Sequence, residues 1–286
     1  MNIKGKKLME NKKYAFAGNR AFVLQRMREL KLNICKIWAV KDSYLAKYLD
    51  DEGLDYEVIE EKEQFEQEIG RTDFDVFVSN GLPIILSKEV FGNNSKVFVN
   101  IHPSLLPDLR GKNPITGVIL YKRDAGVTCH IMDKGIDSGD IISQVKIPYS
   151  DDLDAALLYQ LAFRAEADAF EAAYERNFLP VCKQILRDTD IYYSNKAADA
   201  EIDLNKDTAE RILSKVRAFS TGNKGAKLHI GDKTYICSNI KCINNSYAKE
   251  YYSEAAPEVV LLQYENRIIV KNAFNELLDI TVKSIE

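Results

Sequence analysis

The first hundred residues alternate between short apolar runs and stretches with helical spacing, and this alternation limits the fold more than any other property of the chain. Residues 14–17, 34–40, 56–59, 76–79 and 96–101 read as strands. Between them, 21–30 places Phe22, Val23, Met27 and Leu30 on one helical face, while 44–52, 61–69 and a short piece at 87–91 read as further helices. Strand–helix–strand succession of this kind predicts the α/β class, a doubly wound and mostly parallel sheet.

The pattern then changes. Residues 114–122 read as a helix opened by Pro114, 126–132 and 140–147 as strands, and 153–176 as a long amphipathic helix that follows the capping residues Ser150, Asp151 and Asp152. After an irregular stretch at 192–203 and a helix at 206–219, short strands at 226–230, 234–237, 259–264, 268–270 and 277–282 predict a small β-rich barrel or sandwich. The 286 residues are comfortable for two domains. The expected division is 1–187 for the α/β part and 188–286 for the β-rich part.

A net charge of −4 argues against a general grip on nucleic acid, which needs a basic face. No apolar run nears the roughly 20 residues of a membrane span. Residues 1–13 are basic and polar, lack the apolar segment of a signal peptide, and read as a short leader. The five cysteines (Cys35, Cys129, Cys182, Cys237, Cys242) are scattered and form no Cys-x-x-Cys pair, so they read as small buried hydrophobes in a reducing compartment. Cys237 and Cys242 lack a nearby His or acidic residue to complete a ligand set, and no metal is expected. Together these features predict a cytoplasmic protein.

The chemistry concentrates in two blocks. In the first, Val97, Phe98, Val99 and Ile101 bracket Asn100, and Pro103 ends the run because proline cannot donate to a sheet ladder. Asn100 and His102, two apart on an extended backbone, point to the same side. They do so at a strand end, where open α/β sheets build their sites. The same Asn-x-His-Pro run also fits a turn in which both side chains satisfy loop backbone groups. Of the other two histidines, His130 reads as packed at a strand end. In the second block, Gly135, Ser138 and Gly139 interrupt a strand-like stretch, so 133–138 is a loop carrying two carboxylates, Asp133 and Asp137.

An amide, an imidazole and a carboxylate suit acyl or formyl transfer to an amine. A fixed amide N–H steadies the oxyanion that forms when the amine attacks. The imidazole steadies the same oxygen when charged, or takes the amine proton when neutral. A carboxylate beside it fixes the tautomer and favours the imidazolium. The sequence leaves both proton routes open.

The ordered blocks Asn-Ile-His-Pro-Ser-Leu-Leu-Pro (100–107), Arg110-Gly111, Pro114-Ile115 and His130-x-Met-Asp-x-Gly-Ile-Asp-Ser-Gly-Asp-Ile-Ile resemble the formyltransferase family that uses N10-formyltetrahydrofolate. That family includes methionyl-tRNA formyltransferase, glycinamide ribonucleotide transformylase and the sugar N-formyltransferases. The resemblance is dense over 75–148 and implies a Rossmann-like core. It places the family's catalytic Asn, His and Asp on Asn100, His102 and Asp137. It also implies that 80–86 and 133–136 flank the pterin of the co-substrate, with Asn80, Asp133 and Gly135 giving polar and backbone contacts and Leu82, Ile84, Leu86 and Ile136 apolar ones.

Residues 79–83 and 107–114 are most similar to sugar N-formyltransferases, which implies a dTDP-, UDP- or GDP-linked dideoxy-amino sugar as acceptor, made for cell-surface polysaccharide or lipopolysaccharide O-antigen. The diphosphate of such a substrate would meet Asn19 and Arg20, which end the first strand at a helix start, with Arg110 and Lys112 along the acceptor groove. Gly-x-Gly-x-x-Gly is missing there, so no dinucleotide cofactor is indicated. Methionyl-tRNA is the alternative acceptor, weakened by the acidic balance. Tyr193, Ile202-Asp203, Val216-Arg217-Ala218-Phe219 and Gly225-Ala226 are similar to a shortened tail of the tRNA enzyme, with 220–224 in place of its Pro-rich turn. A homodimer is expected from the resemblance, with Tyr251, Tyr252 and Tyr264 as interface residues.

Overall fold

The computed structural model describes residues 12–92 and 95–286. Most of the stretch expected as a leader lies outside the described residues. The contacts divide the chain into two units. The first comprises the described residues up to Gly111, then Asp124–Pro148 and Leu161–Tyr192. The second comprises Lys112–Arg123, Tyr149–Gln160 and Tyr193–Glu286. The boundary expected after residue 187 falls shortly before the last of these changes.

The first unit is built on a seven-stranded sheet, in the order β3-β2-β1-β4-β5-β6-β7. Its strands are β1 (Lys13–Gly18), β2 (Asn33–Val40), β3 (Glu57–Ile59), β4 (Val76–Asn80), β5 (Val97–His102), β6 (Ala125–Ile131) and β7 (Ile141–Ile147). The pairings from β3 across to β5 are parallel, and β5–β6 and β6–β7 are antiparallel, so the sheet is mostly parallel as expected. Helices α1 (Phe22–Glu29), α2 (Tyr44–Asp51) and α3 (Lys62–Arg71) connect the parallel strands. Ser43 caps α2 by accepting from the Ala46 N–H at 3.1 Å. Val76 to Asn80 are all buried, the pattern of a strand covered on both faces. Trp38, Phe65, Phe74, Phe77 and Phe98 form an aromatic core on one face.

The first segment of the second unit holds α4 (Pro114–Tyr121). The long helix α5 (Ala155–Glu175) contributes residues to both units. It starts later than the expected capping cluster: Asp154, not residues 150–152, accepts from the Leu157 N–H at 2.8 Å.

The sheet of the second unit has the order β11-β12-β13-β10-β9-β8. Its strands are β8 (Glu201–Ile202), β9 (Ala226–Ile230), β10 (Lys233–Cys242), β11 (Leu262–Tyr264), β12 (Arg267–Lys271) and β13 (Leu277–Ile285), with helices α6 (Ala209–Phe219) and α7 (Ser246–Tyr251). These strands make one six-stranded sheet, in keeping with the β-rich part expected here. Ile212 and Val216 of α6 share its core with Leu228, Tyr235, Ile268 and Ile280. β10 runs past the expected 234–237 because register shifts around Cys237 break the alternation that a regular strand shows. The helix α7 was not expected, although Asn245 caps it by accepting from the Ala248 N–H at 3.0 Å. The cysteines also depart from expectation: Cys129 and Cys237 are buried, whereas Cys35, Cys182 and Cys242 are exposed, and all five are free thiols.

Candidate active site

Three pieces of the first unit deliver the polar side chains. β5 carries Asn100 and His102 on its last turns of pleat, and β6 lies antiparallel to it with His130 directly opposite Asn100. The loop between β6 and β7 then returns with Asp137, held in the left-handed region at φ 50°. Asp133 organises that loop: its Oδ1 accepts from the Gly135 N–H at 2.9 Å and from the Ser138 hydroxyl at 2.6 Å. Gly139 has no room for a side chain, since a Cβ would lie 1.9 Å from the Ile131 carbonyl oxygen. The loop is therefore pinned close against the end of β6.

Asp137 is the centre of the cluster. Its Oδ1 stands 3.5 Å from His102 Nδ1, 3.4 Å from Asn100 Nδ2 and 3.7 Å from His130 Nε2. Its Oδ2 accepts from the Gly111 N–H at 3.2 Å. Burial alone would raise its pKa, but His102, His130 and the Gly111 N–H outweigh that and bring it to about 2. Asp137 is thus ionised throughout the physiological range.

His102 is buried, and its Nε2 donates to the Leu109 carbonyl at 3.1 Å. That bond assigns the ring proton to Nε2, because a carbonyl only accepts. Nδ1 therefore carries the lone pair, facing Asp137. Burial is the largest influence on His102 and pushes its pKa below the ordinary 6.5; Asp137 and the Leu109 carbonyl pull upward, while His130 and Arg20 push down. The net effect is a neutral imidazole at neutral pH.

His130 packs buried near the end of β6, and its ring also reaches the cluster. Its Nδ1 donates to the Ile131 carbonyl at 2.8 Å, which leaves Nε2 as an acceptor 3.3 Å from Asn100 Nδ2. This contact decides which way the Asn100 amide points, with its N–H groups toward the cluster. The signal that could have found it is the antiparallel return of 125–131, which sets residue 130 opposite residue 100. His130→Phe is expected to lower kcat about tenfold with little change in KM, because Asn100 loses its orienting partner; steady-state kinetics checks this.

Gln184 was not foreseen either. Its Nε2 donates to the Asp137 and Gly139 carbonyls at 2.9 and 2.7 Å, and its Oε1 accepts from Arg110 Nη2 at 2.7 Å. It clamps the carboxylate loop, and no local sequence pattern marks it.

The remaining expected positions fall as follows. Asn80 is fully buried at the end of β4, its amide next to the buried Glu166 carboxylate. Leu86 is buried, with Leu82, Ile84 and Met132 half-buried against the same aromatic core. This apolar wall with a buried amide beside it fits a flat, hydrogen-bonding pterin. Ile136 is exposed, while Asp133 and Gly135 are engaged in the loop's own hydrogen bonds. Asn19 and Arg20 follow β1, but the Arg20 guanidinium is turned to the buried Glu166 at 2.7 Å. Arg110 is bound to Gln184, and Lys112 is exposed, its backbone N–H reaching Ser194 Oγ at 3.5 Å. Among the described residues, no group of three His, Cys, Asp or Glu side chains could hold a metal ion. No helix of the described residues is long and apolar enough to cross a membrane.

Comparison with known proteins identifies the family. Residues 39–173 match the formyl transferase family, and residues 195–285 match the formyl transferase C-terminal domain. A methionyl-tRNA formyltransferase of Ehrlichia ruminantium (strain Gardel) is 35% identical over 148 residues, 51% of this chain and 48% of that protein. The match thus spans about half the length of that curated relative. Among solved structures, WlaRD, a sugar 3N-formyl transferase crystallised in the presence of dTDP and 5-N-formyl-THF, is similar with a TM-score of 0.71. It is 21% identical, over 95% of this chain and 98% of that one. The N-formyltransferase from Helicobacter canadensis, in complex with folinic acid and dTDP-3-aminofucose, gives 0.67 at 19% identity, over 94% and 98%. At these identities the likeness to solved structures is one of fold. With both of its domains matched, the chain belongs to the formyl transferase family.

Proposed function

We propose that the protein moves the formyl group of N10-formyltetrahydrofolate to the amino group of a nucleotide-linked dideoxy-amino sugar. The observation that carries this reading is the buried meeting of Asn100, a neutral His102 and an ionised Asp137 at one sheet end. The bound co-substrate would supply an activated formyl carbonyl. Asn100 Nδ2 donates to that oxygen as negative charge develops on it; its present contacts of 3.3 and 3.4 Å are long and easily exchanged. His102 Nδ1 takes the amine proton. Asp137 then holds the imidazolium at Nδ1, while Leu109 keeps Nε2 in place. As the new C–N bond forms and the bond to N10 breaks, His102 returns the proton to the departing nitrogen.

A sugar acceptor is supported by full-length likeness to a sugar 3N-formyl transferase and to an N-formyltransferase in complex with dTDP-3-aminofucose, and by the absence of a basic excess, the net charge being −4. The same reading has the protein acting in the cytoplasm as a homodimer, its product destined for lipopolysaccharide O-antigen or a related surface polysaccharide. The relative at 35% identity favours a second reading, methionyl-tRNA as acceptor. The test is to supply N10-formyltetrahydrofolate with dTDP-, UDP- and GDP-linked amino sugars, and separately with charged initiator tRNA, and to follow tetrahydrofolate release. Release with a sugar nucleotide is expected; release with the tRNA alone selects the second reading.

The protonation states set the pH dependence. His102 must be neutral to accept a proton, and its pKa lies below 6.5, so the rate holds through neutrality and falls on the acid side below that value. Asp137, at about 2, does not limit the rate there. Asp137→Asn removes an influence that raises the His102 pKa, and is expected to move the residual acid limb to lower pH.

A further inference from the structure

One buried ion pair of the first unit takes no part in the chemistry proposed for the catalytic cluster. Glu166, on α5, is fully buried. Its Oε2 accepts from Arg20 Nε at 2.9 Å, and its Oε1 lies 2.7 Å from Arg20 Nη2, a two-pronged fork. The guanidinium also lies over the Phe163 ring, 5.0 Å from its centroid. Buried pairs of this kind are often no more stabilising than apolar residues of the same volume, so stability is a weak reason for its presence.

What the fork reaches supplies a better one. Gly81 is the first residue after β4 and stands in the left-handed region at φ 70°. A Cβ on it would lie 2.6 Å from Arg20 Nη1 and 2.8 Å from Arg20 Cζ, so the guanidinium fills the space that a side chain would take. The preceding residue is tied twice. The Asn80 carbonyl accepts from the Asn19 N–H at 3.1 Å, and the Asn80 amide lies next to the same Glu166 carboxylate. Beyond Gly81, the chain carries Leu82, Ile84 and Leu86, which pack against the aromatic core. One carboxylate thus meets both side chains that enclose the turn where β4 passes into 81–86.

We propose that Glu166 is a positioning residue for the co-substrate: it locks the Arg20 guanidinium against Gly81 and the Asn80 amide beside it, and so holds 80–86 in the shape that receives the pterin. The inference rests on the reading that 80–86 flank the pterin of a folate co-substrate. A planar guanidinium can give two nitrogens to the carboxylate and still lay the third against a backbone, which an ammonium cannot. Arg20 held in this fork is also turned away from the diphosphate role that its place after β1 suggested.

The test measures the binding of folinic acid to the full chain by titration calorimetry, with no acceptor present. Glu166→Gln keeps the volume but loses the charge and one prong of the fork, and is expected to weaken folinic acid about tenfold, the usual cost of a hydrogen bond to a charged group. Arg20→Lys, which keeps the cation without the planar fork, is expected to weaken it to a similar degree. In steady-state kinetics of Glu166→Gln, the KM for N10-formyltetrahydrofolate should rise by the same factor, with a much smaller change in the KM of the acceptor. A merely structural role would not produce that split. If Glu166→Gln fails to fold, Arg20→Gln/Glu166→Gln, which leaves no buried charge unpaired, decides in its place by the same loss of affinity. Wild type that binds no folinic acid overturns the co-substrate reading and this role with it. Wild type that binds it, with a folded variant that binds it equally well, overturns the role of Glu166 alone.

Discussion

His102→Ala is expected to lower kcat by about three orders of magnitude while the protein remains folded. The imidazole makes one hydrogen bond to a loop carbonyl and none that a sheet ladder depends on, so its loss is felt mainly in the reaction. Asn100→Ala is expected to cost about 10²–10³-fold, the usual effect of removing one oxyanion donor. The two losses should not add, because donor and base act on the same developing tetrahedral centre. A His102→Ala protein with near-normal kcat and a native melting curve would rule out imidazole as the base.

The second large effect lies in the other unit and concerns stability. Asp207 is buried and accepts from Lys215 Nζ at 2.5 Å, from Arg211 Nε at 3.0 Å and from the Asp203 N–H at 3.0 Å. Lys215 is also buried, and it donates to the Glu201 carbonyl at 2.6 Å as well. Asp207→Ala strands the Lys215 charge among apolar residues of the β-rich core. Removing one member of a buried pair typically costs about 3–5 kcal/mol, so Asp207→Ala should sharply lower the denaturant midpoint of this unit. The double variant Asp207→Ala/Lys215→Met should recover much of the loss, since the orphaned charge goes with it. Equal midpoints for Asp207→Ala and wild type would show that the network contributes little.

The architecture of the first unit was legible because strands covered on both faces read as unbroken apolar runs, and helical spacing separates them. Asn100 and His102 were legible from a two-residue offset on a strand, and the glycine-flanked loop offered both Asp133 and Asp137, between which only the family resemblance chose; the structure brings Asn100, His102 and Asp137 together. His130 was not, because its meaning depends on an antiparallel register between residues 30 positions apart. Arg20 was read as a phosphate ligand at a helix start; its buried partner Glu166 stands 146 positions away on a helix. The spacing of Glu166 from Phe163 and Phe170 puts it on the helix's apolar face, the one local hint that it is buried. In the second unit, bulges in β10 and the short α7 blurred the periodicities on which strand and helix readings depend.

The central claim, amine formylation at the Asn100–His102–Asp137 cluster, is tested most directly by the product itself. The purified full chain is incubated with N10-formyltetrahydrofolate and the sugar nucleotide that gives the fastest turnover, and both products are quantified by mass spectrometry. The account predicts tetrahydrofolate and an N-formylated sugar nucleotide in equal amounts, both falling together in the His102→Ala protein. Tetrahydrofolate accompanied by free formate and an unmodified sugar would contradict it.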